Sequence, residues 1–225
     1  MKKIILLISA ITLIIIFGVV IKIGYFNTHK IECFTQYGPC QEDLVNKAKF
    51  LVGRPIYLPL PRKQIAQTFS NISSISEVVA HRRLPSTLVL GIILRRPIAV
   101  VLGISQQRVV VDERGVVFDS KDRSALPVLY IDGNVEIGTT LEGQQLTAAK
   151  LVNQVGSIIQ TPVSARLQGK SLLIASNNGV EIVLDTEHVA DNWDTSLQSI
   201  WARSKIDGKL MQKIDLRFSQ PAVTF

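Results

Sequence analysis

Ser76-Glu77-Val78-Val79-Ala80-His81-Arg82-Arg83-Leu84-Pro85-Ser86-Thr87-Leu88-Val89-Leu90-Gly91-Ile92-Ile93-Leu94 is the stretch on which the fold turns. Its apolar, partly β-branched runs predict strands at 76–82 and 87–94, separated by a Pro85-Ser86-Thr87 turn. The second run is apolar on both faces, which places it at the centre of a sheet. Upstream, 31–35 reads as a strand entering a turn at 37–39. Residues 41–51 read as a helix: Leu44, Ala48 and Leu51 recur at helical spacing, with Glu42 and Asp43 near the start. Gly53 ends it and Pro55 prevents its restart. Pro61 suits the first turn of a second helix, with Ile65, Ala66, Phe69 and Ile72 as its apolar face. The order strand, helix, helix, strand, strand predicts an α+β module of two helices on a small three-stranded sheet.

Downstream the texture changes. A short run at 98–102 follows Pro97, and the pairs 109–111 and 116–118 flank Asp112-Glu113-Arg114-Gly115 as a hairpin. Residues 127–131 form a further strand, and 141–159 a helix with Leu146, Ala149, Val152 and Val155 on its apolar face. Strands follow at 163–167, 171–175 and 180–184, the last two joined by Asn177-Asn178-Gly179. A helix is expected at 187–204, carrying Trp193, Leu197, Ile200 and Trp201, then strands at 213–218 and 222–225 around Pro221. The boundary between the small module and this strand-rich distal part is expected near residue 103.

The N-terminus decides the compartment. In the run 4–21 only Ser9, Thr12 and Gly18 are not apolar. At about 1.5 Å per residue, a helix over 4–23 spans a bilayer core of roughly 30 Å. Lys2 and Lys3 precede it and place residues 1–3 in the cytoplasm and the body outside. Lys22 can extend its ammonium into the far headgroups. The residues after the run contain no Ala-x-Ala pattern, which favours an uncleaved anchor over a signal peptide. Residues 24–30 form a short linker. The formal charge is +7. Without Lys2, Lys3 and Lys22 the body keeps 22 basic against 18 acidic residues, too mild a bias for nucleic-acid binding.

Cys33 and Cys40 are the only cysteines. Outside the cytoplasm a disulfide fits them, with Gly38 and Pro39 making the turn. Two reduced, buried thiols are the alternative, and a metal site lacks further ligands. His29, His81 and His188 form no catalytic set, and no nucleophile elbow, metalloprotease pair or phosphate loop occurs. The sequence therefore implies no enzyme, cofactor or metal. Asp185, Glu187, Asp191 and Asp194 around His188 suit the start of a helix better than a metal site. Arg82, Arg83, Arg95 and Arg96 are candidates for a site for an anionic partner or lipid headgroup, or for a solvated strand end.

The motif order resembles the FtsQ/DivIB family of bacterial division proteins. Gly53-Arg54-Pro55-Ile56-Tyr57 resembles the element between the two helices of a POTRA module, and the Leu84-Pro85 hairpin resembles that module's strand pair. Arg95-Arg96-Pro97-Ile98-Ala99 resembles the family's exit motif, with Leu94 where Glu is usual. Val111-Asp112-Glu113-Arg114-Gly115-Val116-Val117-Phe118 and Ile214-Asp215-Leu216-Arg217-Phe218 are similar to two distal motifs.

The resemblance implies a POTRA-like βααββ domain at 31–102 and a strand-rich mixed α/β distal domain at 103–225, behind a transmembrane helix at 4–23. It implies a non-enzymatic, single-pass scaffold of the inner membrane at the division site. Expected partners are FtsB/DivIC-like and FtsL-like single-pass proteins and other divisome components. A docking or chaperone protein of another envelope assembly system is the alternative. The implied contact residues are Arg217, Phe218, Ser219, Gln220, Ala222 and Val223. There, a last strand at 213–218 would offer a sheet edge to a partner strand.

Overall fold

The computed structural model describes residues 24–120, 125–208 and 211–225, with Ser9, residues 11–16, 18–19 and Lys22 of the N-terminal segment. Ten of the twenty residues of the expected membrane helix, 4–23, lie outside the described residues. Among those described, no helix is long and apolar enough to cross a membrane. The chain forms two compact units, the first ending at Leu94 and the second running from Arg95 to Phe225. Both mix helices with strand-rich sheets, an α+β arrangement.

The first unit runs β1 (Lys30–Thr35), β2 (Gly38–Pro39), α1 (Glu42–Ala48), a 3-10 turn (Lys49–Leu51), α2 (Arg62–Ser70), β3 (Ile75–Arg83) and β4 (Thr87–Leu94). Its sheet order is β2-β1-β4-β3, with β1 parallel to β4 and the other pairs antiparallel. There are four strands, not the expected three, because Gly38 and Pro39 fold back on β1. Cys40 N–H donates to the Cys33 carbonyl at 3.0 Å. The two cysteines are joined, with Cα atoms 5.3 Å apart.

Strand β4 is central, but only one of its faces is closed. Leu88, Leu90 and Ile92 are buried against Leu51, Ile65 and Phe69, whereas Ile93 on the other face is 44% exposed. Burial of each such side chain contributes about 1.5–3 kcal/mol. Ala66, expected on the buried face of α2, is exposed.

The second unit holds β5 (Pro97–Leu102), β6 (Arg108–Asp112), β7 (Val117–Asp119), β8 (Val128–Tyr130), α3 (Gly143–Ile159), β9 (Val163–Gln168), β10 (Ser171–Ser176), β11 (Glu181–Asp185), α4 (Trp193–Asp207), β12 (Lys213–Asp215) and β13 (Ala222–Thr224). Among the described residues the strands form one nine-stranded sheet, ordered β13-β12-β11-β10-β9-β8-β5-β6-β7. The run at 98–102, read from sequence with the first module, thus belongs to the second sheet. There it pairs antiparallel with β6 and parallel with β8. Helices α3 and α4 cover one face. Ala148, Ala149, Val152 and Val155 of α3 and Leu197 of α4 are fully buried there. A smaller cluster of Val100, Val110 and Phe118 closes the opposite face at the β5–β7 end.

Asp112 holds the β6–β7 turn. Its Oδ1 accepts the N–H of Arg114 at 2.9 Å and of Val116 at 2.8 Å, and its Oδ2 accepts Arg95 Nη1 at 2.6 Å. The pair is largely buried, with side-chain exposures of 17% for Arg95 and 7% for Asp112. Gly115 completes the turn at φ +84°, where a Cβ would run into the Leu141 carbonyl.

Two elements depart from the sequence pattern. Helix α4 begins at Trp193, not at 187, because Asp185 Oδ1 takes the N–H groups of Glu187 at 2.7 Å and His188 at 3.0 Å. That turn competes with helix nucleation. Strand β12 stops at Asp215 rather than 218.

Asp112→Ala removes a mostly buried carboxylate that accepts Arg95 and two turn amides. A loss of about 3 kcal/mol in unfolding free energy is expected from urea titration. The exposed neighbour Glu113→Ala should change it by no more than about 0.5 kcal/mol.

Candidate functional site

The last two strands form the candidate site. β12 pairs parallel with β11 and antiparallel with β13, in the register Ile214↔Val223 and Asp215↔Ala222. The sequence placed 213–218 at the sheet edge. The structure places β12 inside the sheet and gives the edge to β13. No further described strand pairs with β13.

The chain leaves β12 through a side-chain clamp. Leu216 N–H donates to the Val183 carbonyl at 2.9 Å, and its side chain is buried. Asp215 then accepts the Arg217 N–H at 3.1 Å, Nε at 3.0 Å and Nη2 at 2.6 Å. Continued alternation would set Leu216 and Phe218 on one face. The clamp ends that alternation: Leu216 enters the core and Phe218 is 61% exposed.

The Arg217 guanidinium carbon lies 5.7 Å from the centre of the Phe218 ring, within cation–π range. Ser219, Gln220 and Ala222 are exposed, and half-buried Val223 packs against the core. Phe225 is also 61% exposed. Sequence reading passed over it. The available signal was an aromatic residue just beyond a strand whose outer neighbour is solvent.

The electrostatics reinforce the clamp. Hydrogen bonds from the Arg217 side chain, then from its backbone, hold the Asp215 carboxyl below the ordinary aspartate range, against the opposing effect of burial. The same hydrogen bond raises the Arg217 guanidinium. Lys213 pairs with Glu181 at 2.7 Å across β12 and β11. The surface at this edge therefore offers exposed aromatic rings, uncharged polar side chains and a sheet edge, while its charges are paired among themselves. A sheet edge of this kind is chemically suited to accepting an added strand.

His29, His81 and His188 are all exposed. Asp185 bonds the backbone of the loop before α4 and is held below the ordinary range by the His188 and Glu187 N–H groups. Glu187 pairs with Lys170 and accepts from Gln144 at 2.6 Å. Arg82 donates to the Leu58 carbonyl at 2.5 Å, and Arg83 pairs with Glu32 at 2.7 Å. Among the described residues no group of three or more potential metal ligands occurs.

The family model described as "Cell division protein FtsQ/DivIB, C-terminal" matches residues 99–217. The Cell division protein FtsQ of Alcanivorax borkumensis is 26% identical over 181 residues, which cover 80% of this chain and 67% of that protein. The family match takes in most of the second unit, from β5 through the Asp215–Arg217 clamp, and more than half of the 225 residues. The chain belongs to the FtsQ/DivIB family of cell division proteins.

Proposed function

We propose that this protein is a non-enzymatic scaffold of the division machinery, anchored by residues 4–23 with its body outside the cytoplasm. Its distal domain, the second unit from Arg95 to Phe225, captures FtsB/DivIC-like and FtsL-like single-pass partners, and its POTRA-like domain in the first unit contributes to recruitment at the division site. The observation that carries the reading is the three-residue edge strand β13 set beside the exposed Phe218.

A partner segment adds a strand to β13, so main-chain hydrogen bonds supply affinity. Phe218 then supplies an apolar anchor, and Arg217, Ser219, Gln220, Ala222 and Val223 set register around it. The anchor reading is supported by the sequence run 4–21 and by Leu13 and Ile14, which are helical and 69% and 70% exposed. Helical apolar side chains so exposed suit a lipid surround.

Phe218→Lys should abolish capture of an FtsB-like partner by the reconstituted full chain while its thermal unfolding stays unchanged. Undiminished capture would remove β13 and Phe218 from the binding site. In cells, depletion should yield filaments or unseparated chains of cells, scored by microscopy. Normal septation in the absence of a redundant paralogue contradicts the division role.

The Asp215 clamp has a signed pH dependence. A carboxyl depressed in the folded state contributes stability above its unfolded value, about 3.9. That stability is lost as the pH falls through the depressed value. Asp215→Asn should therefore be less stable than the parent at neutral pH, with the difference vanishing in acid. Equal denaturation midpoints at pH 7 would show that the clamp contributes no stability.

A further inference from the structure

The body's positive charge is not shared between the two units. Residues 24–94 contain eight Lys+Arg against four Asp+Glu, whereas 95–225 contain fourteen of each. All of the excess therefore sits in the unit that follows the apolar run. Within that unit it is polarised. Glu42 and Asp43 open α1 directly behind the 35–38 turn, and Glu77 pairs with Ile93 near the finish of β4. Both places are at one end of the sheet. The opposite end, where β1 and β4 begin and β3 finishes, carries Lys30, Arg54, Arg82 and Arg83, with Glu32 as the nearby acid.

That cationic end is also where the chain arrives from the apolar run, and no free tether intervenes. Asn27 bridges to Pro55, Thr28 N–H donates to the Arg54 carbonyl at 2.8 Å, and Ile56 N–H donates to the Phe26 carbonyl at 2.7 Å. His29 N–H donates to the Ser86 carbonyl at 2.9 Å. From Lys22 to Phe26 the chain reaches at most about 14 Å. The 24–30 segment, the 52–60 loop and the 84–86 turn are thus knitted into one surface. They expose Tyr25 (56%), Tyr57 (53%), Leu58 (51%) and Leu84 (69%) beside those cations.

Apolar and tyrosine side chains interleaved with Lys and Arg, at the exit of a membrane segment, have the chemistry of an interfacial belt. We propose that this end of the first unit lies on the outer face of the bilayer and binds anionic phospholipid headgroups. Tyr57, Leu58 and Leu84 dip into the interface while Arg54 and Arg82 reach phosphates. The inference rests on the anchor reading above and adds to it an orientation: β1 and β4 run away from the membrane, and the 35–38 turn points outward.

The test uses the full chain in vesicles of phosphatidylcholine alone or mixed with phosphatidylglycerol. An environment-sensitive fluorophore is placed on Leu84→Cys or, at the opposite end of the same sheet, on Tyr37→Cys. In the anionic vesicles the probe at 84 should shift to the blue and be quenched by headgroup-level nitroxide lipid, with the effect weakening as salt rises. The probe at 37 should do neither. Arg54→Gln and Arg82→Gln should each lower the docked-to-undocked ratio about fivefold.

If the chain stays in alkali-washed vesicles while both probes report water, the anchor stands and the surface contact is wrong. Equal signals in both lipid mixtures overturn the assignment to anionic headgroups. Release of the chain by the wash overturns the anchor reading and the contact with it.

Discussion

Several strands of the second unit stop where an aspartate takes over the backbone. β6 ends at Asp112, β11 at Asp185 and β12 at Asp215, and in each case the carboxylate accepts an N–H two residues on. An amide donated to a side chain is no longer available to a ladder, so the strand ends and the chain turns. The three turns have different consequences. At Asp112 the turn also takes up Arg95 and becomes part of the core. At Asp185 it delays α4. At Asp215 it sets Phe218 out in solvent. The proposed binding edge depends on the last of these, since a β12 continuing to 218 would have pointed Phe218 the same way as the buried Leu216.

These local competitions also explain which parts of the fold were legible in the sequence. Elements decided by burial read well: the bounds and central place of β4, though not the exposure of its second face, the α3 face of Ala149, Val152 and Val155, and the β10–β11 hairpin at Asn177-Asn178-Gly179. Apolar spacing carries that information directly. The Asp112 turn was legible too, because Gly115 and the flanking valines marked it. The Asp185 and Asp215 turns were not. At 185 the acidic residues that close a loop have the same composition as a helix start. At 215 the alternation of Ile214, Leu216 and Phe218 imitates a strand that the clamp interrupts.

Pairing partners were less legible than elements. Residues 98–102 read as a strand beside the first module, yet their neighbours in space are β6 and β8. Nothing in a short valine-rich run specifies which sheet receives it. The edge was misplaced for the same reason. Parallel pairing of β12 with β11 puts β12 inside the sheet, and β13, separated from it by Pro221, folds back to cover it. Phe218, Ser219, Gln220, Ala222 and Val223 all lie on or between β12 and β13 and so belong to one hairpin whichever strand is outermost.

A three-residue edge is a restrained way to present unpaired backbone. Long, flat edges recruit copies of themselves, and short ones resist this because few ladder bonds are available. On the proposed reading, affinity at β13 comes from what flanks it, and both flanks are aromatic. Phe218 lies before the strand and Phe225 after it, each 61% exposed. Specificity follows from the same arrangement. A partner has to match a short ladder and two apolar anchors at once, while the paired charges of Arg217 and Asp215 leave little long-range attraction for unrelated chains. The charge excess of the body lies instead in the first unit, where the proposed headgroup contact calls for broad electrostatic attraction to a surface and not for strict partner choice.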